Sequence, residues 1–63
     1  DLWHAVSRLP EKQRLAITYR YAVGLTSAET AALAGGSDAS VRQNTRDGLR
    51  KLRLVYAPQG GRE

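Results

Sequence analysis

The feature that most constrains this chain is a glycine pair, Gly35-Gly36, set between two segments of helical spacing. Upstream, Ala28, Ala31, Ala32, Leu33 and Ala34 fill a short helix that Thr26 or Ser27 caps, with Glu29 in its first turn. Downstream, Ser37, Asp38 and Ser40 crowd a second helix start, where their oxygens accept from first-turn N–H groups and Asp38 complements the dipole. Val41, Thr45, Leu49 and Leu52 then recur as one inward stripe. One of the two glycines supplies the positive φ that ends the first helix. The alanines suit a steep helix crossing, with Ala31 expected at the closest approach.

The stripe dictates what must face outward. Between its members fall Arg42, Gln43, Asn44, Arg46, Asp47, Arg50, Lys51 and Arg53. Basic and amide side chains on one exposed helix can neutralise phosphates and read base edges in a major groove. A short helix, a glycine turn and a cationic helix together form a helix-turn-helix signature. An ordinary helical hairpin with a solvated basic face has the same pattern.

The remainder of the chain reads as a platform for that pair. Its 63 residues make one domain, near the lower limit for a self-sufficient core. The first residue is Asp1 rather than methionine, which suggests a domain cut from something longer. Net charge is +4 and the isoelectric point about 10.1, favouring an anionic partner. Half of the ten cationic residues fall between Arg42 and Arg53, and this clustering says more than the total. Cysteine is absent, so there is no disulfide framework and no thiolate metal site. No apolar run reaches membrane-spanning length and no signal peptide is visible. Strand alternation is nearly absent, and the expected fold is an all-α four-helix domain without winged elements.

Residues 1–8 read as a first helix with Leu2, Trp3, Val6 and Leu9 on its apolar side. Trp3 is expected as a packing anchor rather than a base-stacking platform. Pro10 suits the first turn of the next helix, where its missing N–H costs nothing, and Glu11 follows at the dipole's positive end. That helix should run to about Ala22 and bury Ala16, Ile17 and Tyr21, with Lys12, Arg14 and Arg20 toward water. Arg20 stays open between a solvated face and a phosphate contact. Gly24 ends the helix and Leu25 plugs the core. The expected domain covers 1–54, and 55–63 is a tail expected to be disordered, because Pro58 and Gly60-Gly61 end regular structure. Leu54, Val55 and Tyr56 could lengthen the last helix by a turn.

Catalytic signals are missing. His4 is the only histidine and reads as a surface or boundary residue. There is no paired-carboxylate site, no Gly-x-Ser-x-Gly nucleophile motif and no Gly-x-x-x-x-Gly-Lys phosphate loop. The expectation is a chain that is not an enzyme, with no cofactor, no metal site and no small-molecule substrate.

With the helices placed, the sequence resembles region 4, the C-terminal domain, of bacterial sigma factors, especially the extracytoplasmic-function group. The resemblance covers about residues 2–54. Its carriers are Leu9-Pro10-Glu11, Tyr19-Arg20-Tyr21, Gly24-Leu25-Thr26, Ala28-Glu29-Thr30-Ala31, the glycine turn, Ser40-Val41-Arg42 and Leu49-Arg50-Lys51-Leu52-Arg53. It implies a domain that reads the double-stranded promoter −35 element as part of RNA polymerase holoenzyme, in the bacterial cytoplasm and at the nucleoid. It also implies contact with the polymerase β-subunit flap, and masking by an anti-sigma factor as in many relatives. By this resemblance Arg42, Gln43, Arg46 and Asp47 approach bases, Asn44 and Arg50 belong to the same DNA-binding set, and Asn44 stands where an arginine usually touches phosphate. Thr26, Ser27 and Arg20 fall where backbone contacts are expected.

The chain also departs from the family pattern. Gly36 replaces a residue that plugs the turn, Thr30 and Thr45 replace large aliphatics, and Gly48 replaces an alanine. Lost apolar volume at about 1–3 kcal/mol per side chain predicts marginal stability, and a mid-helix glycine adds about 1 kcal/mol. Asn44 and Asp47 weaken the positive surface. Three other readings compete. One is a sigma-like protein-interaction module with weak autonomous DNA binding, which an apolar exposed groove would favour. Another is a response-regulator output domain, although those usually open on a Leu-Thr-x-Arg-Glu type segment. The last, an amphipathic membrane-surface helix, has only the basic stripe behind it.

Overall fold

The computed structural model describes residues 2–56, with side chains through Leu54. The described residues are helical apart from short connections and contain no strand. Helix α1 spans Leu2–Ser7 and α2 spans Glu11–Ile17, which continues as a π-helical segment over Thr18–Val23. Helix α3 covers Ser27–Ala34 and α4 covers Asp38–Tyr56. Residues 57–63 of the expected tail lie outside the described residues, and the last helix takes in the turn ending at Tyr56.

Helix starts follow the polar residues that the sequence offers. Pro10 stands just before α2 in extended backbone, and its carbonyl accepts from Arg14 N–H at 2.9 Å. At α3 the cap is Thr26: its Oγ1 accepts from Glu29 N–H at 3.1 Å, while Glu29 Oε1 accepts from Thr26 N–H at 2.8 Å. This reciprocal box satisfies two donors that a helix start otherwise leaves unpaired. Helix α4 repeats the device with two serines, since Ser37 N–H donates to Ser40 Oγ and Ser40 N–H donates to Ser37 Oγ. Asp38 takes no part in that box and pairs with Arg42.

The turn between α3 and α4 needs both glycines in the left-handed half of φ, at +92° for Gly35 and +93° for Gly36. The sequence required one such residue; the structure uses two.

The second helix departs from the expected regular span. Past Ile17 its backbone bonds reach one residue further back, and Gly24 N–H donates to the Tyr19 carbonyl at 3.0 Å. A wider turn rotates later side chains away from the α-helical stripe. Tyr21, expected inside, is 56% exposed, whereas Ala16 and Ile17 are buried as expected.

Val6, Leu9, Ile17 and Leu52 form the apolar cluster, with Ala5 and Leu49 packed against it. Val41 and Thr45 continue the α4 stripe inward, and Thr45 Oγ1 donates to the Val41 carbonyl at 2.8 Å, so its buried hydroxyl is satisfied. Leu2 and Trp3 line the surface instead of filling the core, each 46% exposed. On α3 the fully buried residue is Thr30, while Ala31 is half-buried.

Gly48 does more than carry the propensity cost of a mid-helix glycine. It is buried where α4 crosses α2, and a Cβ there would stand 2.5 Å from Ile17 Cδ1. The glycine admits the neighbouring helix. Its cost in helix propensity remains.

Candidate nucleic-acid interface

Because Val41, Thr45, Gly48 and Leu52 turn inward, the opposite side of α4 is open to solvent. Arg42, Arg46 and Arg50 follow one another at four-residue steps there, each step rising about 6 Å along the axis. Polar contacts run along this face. Arg42 Nη1 lies 3.2 Å from Asp38 Oδ1, Gln43 Nε2 donates to Asp47 Oδ1 at 3.0 Å, and Arg46 Nη1 donates to Gln43 Oε1 at 3.4 Å. Arg50 Nη1 completes the row, 3.6 Å from the same Asp47 oxygen.

These are solvent-screened contacts between residues on one helix, each worth about 0–1 kcal/mol. Their effect is on placement: Asp47 gathers Gln43 and Arg50, and Arg46 leans on Gln43. A phosphate or a base edge can displace such contacts at small cost, so the arginines remain available.

The expected site residues divide. Arg42, Gln43, Arg46 and Arg50 share the exposed face of α4, and the half-buried Asp47 joins them through Gln43 and Arg50. Thr26 is exposed at the α3 start, with its hydroxyl oxygen accepting in the cap. Ser27 is buried at 9% exposure, so its side chain is not presented to a phosphate. Asn44 is half-buried and lines a crevice between α2, α3 and α4. Arg20 lies on the π segment, with its guanidinium 6.0 Å from the Tyr21 ring centroid and a covered Nε that has no acceptor. Among the described residues, no cluster of His, Cys, Asp and Glu could hold a metal ion, and His4 is exposed with its carbonyl accepting from Ser7 Oγ.

A second surface was not visible as such in the sequence. Leu2, Trp3, Tyr21, Leu49 and Arg53 border a groove of about 380 Å³ over Val6, Ile17 and Leu52. The signal was present in the apolar residues of the first two helices, whose periodicity reads as buried. The π turn and the shortness of α1 leave that stripe half-covered.

The sequence matches the family described as "Sigma-70, region 4" over residues 1–52. The chain belongs to that family. No curated protein and no solved structure matches it. A sigma-70 region 4 domain is a non-enzymatic transcription-factor domain serving promoter recognition in general, and the all-α architecture with a closing basic helix agrees with it. No described helix of this region 4 domain is long and apolar enough to cross a membrane.

Proposed function

We propose that this domain reads the −35 element of bacterial promoters as the C-terminal part of an extracytoplasmic-function sigma factor in RNA polymerase holoenzyme, working in the cytoplasm at the nucleoid. The observation that carries the reading is the solvent face of α4, where Arg42, Arg46 and Arg50 stand in one row with Gln43 between them. In the major groove, Arg42, Gln43 and Arg46 would meet base edges, and Arg50 would meet the backbone. Asp47 accepts from a cytosine amino group only by giving up Gln43 or Arg50, which makes it an orienting residue first. Thr26 and Arg20 are backbone contacts in this reading, Ser27 offers only its main-chain N–H, and Asn44 reaches a phosphate from the margin of the face.

Titration with promoter-derived and scrambled duplexes at two salt concentrations tests this. A preferred sequence whose advantage falls about tenfold or more on Arg42→Ala or Arg46→Ala supports base readout. Each lost phosphate contact should lower the salt slope by about 0.9. No binding at low salt overturns autonomous recognition.

The apolar groove favours a second role alongside the first: docking of a protein segment, from the polymerase flap, an anti-sigma factor or a co-activator. Trp3 and Tyr21 are large exposed rings beside Leu2, the kind of anchor that protein interfaces use. Trp3→Ala should weaken such a complex and leave duplex binding unchanged.

A further inference from the structure

The crevice behind the helix-turn-helix belongs to neither surface. It has a volume of about 230 Å³, with Leu15, Ala16 and Val41 as its apolar walls. It stays open because Ala34, Gly35 and Gly36 bring almost no side chain to the turn. Thr30 lines it too, 1% exposed, and its Oγ1 has no hydrogen-bond partner. A buried hydroxyl without a partner is costly, which points to an occupant that supplies one. At the rim stand Lys12, exposed, and the half-buried amide of Asn44. Lys12 is the one ionisable residue lining the crevice, and no acidic residue among the described ones pairs with it.

Size and chemistry together define a ligand class. A sealed apolar cavity of about 150 Å³ is enough to admit benzene. Here the walls suit one ring or a branched chain, and Lys12 selects a negative charge. We infer that this crevice binds a small monocarboxylate with an apolar body, one carboxylate oxygen accepting from Thr30 Oγ1 and the other facing Lys12 and Asn44, and its body against Leu15, Ala16 and Val41. The site lies apart from Arg42, Arg46 and Arg50 and shares only Asn44 with the residues read as DNA contacts, so it does not rest on that reading.

The test is an NMR titration of the ¹⁵N-labelled 63-residue chain with benzoate, benzyl alcohol and benzylamine. Saturable benzoate shifts are expected at Thr30, Ala34, Gly36 and Ser40, with benzyl alcohol weaker and benzylamine absent. Lys12→Gln, an exposed change that leaves the fold alone, should weaken benzoate by about five- to tenfold and leave benzyl alcohol unchanged. Ala34→Leu, also exposed, should fill the crevice and abolish both. Benzylamine binding as well as benzoate, benzoate shifts confined to Arg42, Arg46 and Arg50, or full binding retained in Ala34→Leu would each overturn the assignment.

Discussion

The two ends of α4 are packed by different means. Toward α1, the helix rests on Val6, Leu9 and Ile17 through Leu52, with Leu49 at the side. Toward α3 the buried residues include the polar Ser27, Thr30 and its own Thr45, and Val41 stands with the half-buried Leu15 beside a crevice. Apolar volume holds the first end, whereas hydrogen-bonded caps and a two-glycine turn hold the second. A domain of this size has too little apolar surface to do both. The reading head therefore rests on the softer end.

The largest test of that contrast is truncation at each end. Ile17→Ala should cost about 2–5 kcal/mol, as for other large-to-small core changes, and Val41→Ala only about 1–2 kcal/mol, beside space that already exists. Urea midpoints at constant m-value measure both, and equal losses would erase the distinction. Next in size, Ser37→Ala removes one arm of the serine box and should cost about 1 kcal/mol. Circular dichroism would report that loss as fraying at the start of α4. Gly48→Ala sets a propensity gain of about 1 kcal/mol against overpacking of about 1–3 kcal/mol on Ile17, giving a net loss of about 1 kcal/mol. A stabilised Gly48→Ala would mean that Ile17 can move aside. The smallest effect has the opposite sign: Thr30→Val discards an unpartnered buried hydroxyl and should raise stability by up to about 1 kcal/mol in thermal melts.

Much of this fold was legible in the chain. Thr26 with Glu29, the Gly35-Gly36 break and the stripe of Val41, Thr45, Leu49 and Leu52 each rest on local rules, and local rules held. Of the site, the outward row of Arg42, Gln43, Arg46, Asp47 and Arg50 followed from the same stripe. What failed depended on neighbours. Tyr21 was assigned inward because helical periodicity assumes an α-helix, and the π segment breaks the count. The family resemblance places Ser27 with Thr26 at a backbone contact, yet α3 turns the Ser27 side chain inward. Gly48 looked like a missing side chain, since no single-helix argument reveals that Ile17 occupies its space. The crevice is likewise a property of α2, α3 and α4 together, although Ala34, Gly35 and Gly36 were its written clue.

Helix α4 borders all three surfaces: its outward face carries the arginines, Val41 and Asn44 wall the crevice, and Leu49, Leu52 and Arg53 wall the groove. These surfaces share one rod about 28 Å long by helix rise. Two molecules that each prefer one seating of that rod over another are coupled: the first changes the affinity of the second by the same factor by which the second changes the affinity of the first. Thermodynamic linkage of this kind is reciprocal, so adding two binders in either order must close the same free-energy cycle.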